Sequence, residues 1–142
     1  MTQTFVVDGE LIDLNAYINA ERGNRYQAAN IKKCETLRCS IASRELAPIT
    51  EPVYIMFDWH TKNLRKDPDN VAFAKKVILD GLVEAGILQG DGRRYVLGFA
   101  DSFYVDAERP RVQVDLIEGV AGGRKFESET VAKLKDIYHE RG

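Results

Sequence analysis

The segment Val53-Tyr54-Ile55-Met56-Phe57-Asp58-Trp59 constrains the fold more than any other stretch of the chain. Side chains alternate between the two faces of a strand, and here both faces are apolar for most of the length, so both must be covered. Such a strand belongs in the middle of a sheet and anchors it. Before it, Phe5-Val6-Val7 reads as a short strand ended by Asp8-Gly9, and Leu11 to Ala20 mixes a strand end with a short helix that Gly23 breaks. From Arg25 onward Ile31, Cys34, Leu37 and Ile41 recur at helical intervals, predicting one apolar stripe with Lys32, Lys33, Glu35 and Arg38 outside it. Pro48 and Pro52 close that helix and its loop.

After the central strand comes a polar, basic run from His60 to Lys66, then Asp67-Pro68-Asp69-Asn70 and a helical stretch from Val71 to Ala85. Asn70 or Asp69 suits the N-cap, and Gly86 suits the residue just past the C-terminal end. At 100° per residue, Val71, Ala74, Val77, Ile78, Gly81, Leu82 and Ala85 fall on one core-facing side, while Lys76 and Asp80 share another side with Phe73 and are within reach of one another. Arg94 to Asp106, interrupted by Gly98, predicts a long or bulged strand, and the alternating Arg111 to Glu118 predicts its return in an antiparallel hairpin. A final helix is expected over roughly Ser128 to His139. The order predicts an α+β domain, a small mixed β-sheet with flanking helices, over residues 1–142, with a C-terminal helical extension at about 124–142.

Composition narrows the function classes. A chain of 142 residues, 44% of them hydrophobic, fits one globular domain better than two. Its apolar runs are only a few residues long, so no membrane span of about 20 residues fits. Met1-Thr-Gln-Thr lacks the features of a signal peptide, so a cytoplasmic protein with no membrane partner is expected. The two cysteines, Cys34 and Cys39, have no neighbouring histidine and make no zinc site. A formal net charge of −2 gives no general attraction to nucleic acid, so local distribution matters more. His60, Lys62, Arg65 and Lys66 form one acid-free basic run, and Arg22, Arg25, Lys32, Lys33 and Arg38 form a second, diluted by Glu21 and Glu35.

The acids carry the chemistry. Asp67 and Asp69, one residue apart, point the same way if the backbone there is extended, and Asp91 beyond the helix can fold back to join them. Like charges so placed raise each other's pKa unless a hard divalent cation neutralises them. Asp67, Asp69 and Asp91 therefore suit Mg²⁺ in phosphodiester hydrolysis, with Lys76 supplying positive charge to the phosphate or orienting water, and the basic run gripping flanking phosphates. The same residues also suit plainer uses: Asp67 opening a turn, Asp69 capping a helix, Asp91 in an Asp-Gly turn, and Lys76 with Asp80 as a surface ion pair.

Asp67-Pro-Asp-Asn70, Lys75-Lys76, Ile78-Leu-Asp-Gly-Leu82, Glu84-Ala-Gly-Ile-Leu88 and Asp91-Gly92 together resemble the core of the RusA-type Holliday junction resolvases, widespread in phages and prophages. Leu14-Asn15, Glu21-Arg-Gly-Asn-Arg-Tyr26 and Ile31-Lys-Lys33 resemble the N-terminal region of the Gram-positive phage branch, and Phe99 to Val114 its C-terminal hairpin, so the likeness covers about residues 10–117. The resemblance implies a RusA-like fold and a homodimeric, Mg²⁺-dependent endodeoxyribonuclease, with Mn²⁺ able to substitute and no small-molecule cofactor. Its substrate would be four-way junctions and related branched DNA in recombination and repair, in a bacterial host cell and encoded by a phage or prophage. Asp67, Asp69 and Asp91 would be its catalytic and metal-binding carboxylates, and Lys62, Arg65 and Lys66 would contact DNA. The catalytic lysine would be Lys76, with Lys75 the alternative: the family's lysine falls four residues after the second Asp, where this chain has Phe73, and three further residues turn a helix by about 300°. At Gly90 some members carry another acid. The reading from another class is a non-catalytic phage DNA-binding or structural protein on the same scaffold.

Overall fold

A computed structural model describes residues 1–119, 127–133 and 136. The elements run β1 (Thr2–Asp8), α1 (Leu14–Gly23), α2 (Arg25–Ser43), β2 (Val53–Thr61), α3 (Pro68–Ala72), α4 (Lys75–Glu84), β3 (Val96–Val105) and β4 (Arg111–Glu118). The class is α+β, as the order of elements predicts. Residues 127–133 and 136 of the expected C-terminal helix are helical, and the rest of it toward His139 lies outside the described residues.

One four-stranded mixed sheet has the order β1-β4-β2-β3. The doubly apolar segment is an interior strand: β2 pairs parallel with β3 on one side and antiparallel with β4 on the other. Val53, Ile55, Phe57 and Trp59 enter the main core with Val77, Ile78 and Leu82 of α4, while Met56 and Asp58 are buried at the alternate positions. The expected antiparallel hairpin of the last two strands does not form, because β2 lies between them. The Asp106–Pro110 connection passes the end of β2, where the Asp106 N–H donates to the Thr61 carbonyl at 2.8 Å and the Arg111 guanidinium meets the Asp106 carboxylate at 2.8 Å. A short turn between alternating segments has the same sequence pattern whether the strands touch or straddle a third. The bulge expected near Gly98 is present: Val53 pairs with Val96 and Tyr54 with Gly98, leaving Leu97 unpaired in the ladder.

Two helical expectations need correction. The stripe Ile31, Cys34, Leu37, Ile41 does not seat α2 on the core, since Leu37 and Ile41 are half exposed and Cys34 is exposed. The seated face is Ala28, Cys39 and Ser43, small residues that let α2 approach α4 closely. A Cβ on Gly81 would stand 2.6 Å from Cys39 Cβ and 2.8 Å from Ser40 N, so glycine is what permits this helix contact. Large apolar residues would have held the helices apart. Burial pushes the Cys39 thiol up to about 12, leaving it inert.

The second correction is the helix expected over Val71 to Ala85, which is broken. α3 ends at Ala72, Phe73 and Ala74 form a turn, and α4 begins at Lys75. The break is a local tightening: Ala74 N–H bonds the Val71 carbonyl and Lys76 N–H bonds that of Phe73, each three residues back instead of four. Phe73 turns its ring toward Tyr17 of α1, with centroids 5.4 Å apart. Downstream the wheel holds, with Val77, Ile78, Gly81 and Leu82 all buried, and Gly86 has the positive φ of 77° expected just past the helix end.

Candidate active site

Asp67 and Asp69 stand at the start of the short α3, Lys75, Lys76 and Asp80 lie on α4, and Asp91 lies in the loop beyond it. Asp67 is the N-cap residue of α3 in extended conformation, Pro68 takes the first helical position, and Asp69 lies within the first turn. This corrects the expected capping by Asn70 or Asp69, and it corrects the parallel projection of the two carboxylates, which needs an extended chain through Pro68. Asp69 Oδ1 accepts the Asn70 N–H at 3.0 Å, and both acids are exposed. Asn70 Oδ1 accepts the Asn15 N–H at 2.9 Å, so the residue that follows the acid pair docks the start of α1.

Lys76 and Asp91 do meet. The Lys76 ammonium donates to Asp80 Oδ1 at 3.1 Å and to Asp91 Oδ2 at 3.2 Å, tying the first turn of α4 to the loop beyond it. Its hydrogen bonds to Asp80 and Asp91 raise its pKa above the usual 10.5, so it is charged at neutral pH. Lys75 points elsewhere. Its ammonium donates to Asp101 Oδ2 at 2.8 Å and lies 4.5 Å from the Phe99 ring centroid and 5.2 Å from that of Phe57. The other Asp101 oxygen accepts the Trp59 indole N–H at 2.8 Å. The Lys75, Asp101 and Trp59 network went unseen in the sequence, although Asp101 stands on the same strand face as Phe99 and Phe103 and an acid there needs a cation.

The basic run is only partly free. Lys66 pairs with Asp13 at 3.0 Å and Glu10 at 3.8 Å, and Lys62 lies 4.0 Å from Glu10, while Arg65 is exposed and forms no ion pair among the described residues. Burial pushes the Asp13 carboxyl up, but the Ala16 N–H and the Lys66 ammonium outweigh it and hold the group below its usual 3.8. His60 stacks on Tyr104 with centroids 4.9 Å apart, and burial together with Arg111 keeps its pKa below the usual 6.5. An open groove of about 460 Å³ runs beside Asp67, walled by Leu64, Lys66, Phe103, Tyr104 and Val105.

Carboxylate oxygens are the donors Mg²⁺ prefers, and Mg²⁺ keeps several waters while taking one or two protein carboxylates. The donor chemistry of Asp67, Asp69, Asp80 and Asp91 fits. Among the described residues, however, no three His, Cys, Asp or Glu side chains are grouped closely enough to hold an ion together. The Lys76 ammonium, a fixed cation, holds Asp80 and Asp91 instead.

No protein-family model matches the chain, and no curated protein matches it. Among the described residues no helix is long and apolar enough to cross a membrane.

Proposed function

We propose that the chain is a RusA-like, homodimeric, Mg²⁺-dependent endodeoxyribonuclease that nicks four-way junctions and related branched DNA. The observation that carries this reading is the contact of Lys76 with Asp91, because it joins a cation and a carboxylate that the sequence motif alone put in one site. A surface salt bridge of this kind adds little stability, so its value lies in placing charge. The groove beside Asp67 supports the reading as well, since Phe103 and Tyr104 offer ring faces and edges to bases and Lys66 offers charge to phosphate.

Bound at the acids, Mg²⁺ would supply a Lewis acid for the phosphoryl oxygens and a more acidic water. The protein's own part is positional. Asp67, Asp69 and Asp91 would hold the ion, and Lys76 would turn its ammonium from Asp80 toward the scissile phosphate, countering the charge that builds there. Asp80 keeps that ammonium protonated and waiting. Lys75, held by Asp101 and two aromatic rings, stiffens the start of α4 beneath the site. Arg65 is free for phosphate, whereas Lys62 and Lys66 would first exchange Glu10 and Asp13 for DNA.

The second reading, a non-catalytic DNA-binding or structural protein, is favoured by the absence of a three-carboxylate group among the described residues. Incubation of the protein with an end-labelled four-way junction and Mg²⁺ separates the two. The nuclease reading requires paired nicks on opposed strands, little cutting of linear duplex, and loss of the nicks in Asp69→Asn. An uncut junction, or cutting by Asp69→Asn at the wild-type rate, supports the second reading instead.

A further inference from the structure

The chain carries a net charge of −2, yet residues 21–33 hold four basic side chains, Arg22, Arg25, Lys32 and Lys33, against the single acid Glu21. Several other cations are spent internally: Arg38 on Glu35 and two backbone carbonyls, Lys66 on Asp13, and Lys75 on Asp101. At the joint of α1 and α2, by contrast, Arg22, Arg25 and Lys33 are exposed and form no ion pair among the described residues. Between the arginines and Lys33 stands Tyr26, 89% exposed.

The joint is built to a fixed shape. Asn24 ends α1 and begins α2, its backbone N–H bonding the Ala20 carbonyl and its side chain accepting the N–H groups of Tyr26 at 2.9 Å and Gln27 at 3.2 Å. The backbone under Tyr26 is therefore held, while the ring itself stands exposed with no ring partner among the described residues. Lys33 lies seven residues on, about 20° round the same helix face and about 10 Å along it. A rigid elbow that presents an uncovered ring among unpaired cations has charge and shape complementary to nucleic acid, whose phosphates take the cations and whose bases stack on the ring.

The opposite end of α1 docks at Asn70, next to Asp69. A helix of ten residues sets the elbow about 15 Å from the Asn70 contact beside Asp69, or about four nucleotides at roughly 3.4 Å per strand step. We propose that this elbow grips a DNA arm about four nucleotides from the cleaved bond, with Arg22, Arg25 and Lys33 on phosphates and Tyr26 stacked on a base exposed at the branch. The proposal rests on the nuclease reading and adds to it the path of the substrate.

The test measures binding in full-length protein carrying Asp69→Asn, with a fluorescent four-way junction and a linear duplex at several salt concentrations. Tyr26→Ala is expected to weaken junction binding about tenfold and duplex binding less than twofold. The triple change Arg22→Gln, Arg25→Gln, Lys33→Gln is expected to lower the slope of log affinity against log salt by about 2.7 on both DNAs. Circular dichroism and sedimentation should match the parent. If the parent binds the junction and the variants bind it equally well with the same slope, the elbow proposal falls and the nuclease reading stands. If the parent binds no DNA, both fall. If the variants change the sedimentation of the free protein, the elbow is an interface between protein chains and the proposal is overturned.

Discussion

Lys76 Nζ lies 3.2 Å from Asp91 Oδ2, bridging the first turn of α4 and the loop that follows the helix fifteen residues later in the chain. Its neighbour Lys75 faces the other way, into Asp101 and the rings of Phe57 and Phe99. Two adjacent lysines on a helix differ by about 100° in direction, and that is enough to divide them between the site and the scaffold.

This division predicts opposite phenotypes. Lys76→Ala should lower junction cleavage by about 100-fold, the usual scale for losing one charge-stabilising group, while stability stays within about 0.5 kcal/mol. Lys75→Ala leaves Asp101 without its cation in a site that is mostly shielded, and should cost about 1–3 kcal/mol in chemical denaturation. Equal loss of activity in both with unchanged stability would contradict the division.

Gly81 is expected to tolerate no side chain. Its added Cβ would meet the Ser40 nitrogen at 2.8 Å and the Thr36 carbonyl oxygen at 2.9 Å, backbone atoms that cannot rotate away. Gly81→Ala should lower stability by about 1–3 kcal/mol, read as a shift in urea midpoint, despite the better helix propensity of alanine.

The pair of Asp13 and Lys66 sets an acid dependence. Asp13 has a folded pKa below 3.8, so its contribution is fully present above the unfolded value and is lost as pH falls through the folded one. Lys66→Gln removes part of that depression, and the mid-point of acid unfolding should move to higher pH. An unchanged mid-point would show that the pair contributes nothing to folding.

On the second face of the sheet, Lys133 donates to both oxygens of Asp58, at 2.6 and 2.8 Å. Asp58 is only 8% exposed. Lys133→Ala strands a buried carboxylate and should cost about 3 kcal/mol, whereas Asp58→Asn combined with Lys133→Met should recover much of the loss. Thermal melts of the single and double variants check this.

The outline of the fold could be read from the residues wherever one pattern had one physical solution. The doubly apolar Val53–Trp59 segment had to lie inside a sheet, and Gly86 had to end a helix. The hairpin failed because alternation in β3 and β4 describes each strand and not its neighbour. The α2 stripe misled because the close contact at Gly81 selects small residues, leaving Leu37 and Ile41 outside. In the site, the Lys76 and Asp80 pair followed from helical spacing and formed as expected. The direction of Asp67 and Asp69 did not, because α3 already begins at Pro68 and puts Asp69 in a helical turn, where the parallel projection needed an extended chain.

The central claim is that the acids around Lys76 hold a cation that drives phosphodiester hydrolysis. The most direct measurement is the nicking rate of a labelled four-way junction as Mg²⁺ is titrated, for wild type, Asp69→Asn and Asp91→Asn side by side. Wild type should show a saturable rise from no cleavage in chelator, with both variants at least about 100-fold slower at saturation. Cleavage that persists in chelator, or variants that track wild type across the titration, would contradict it.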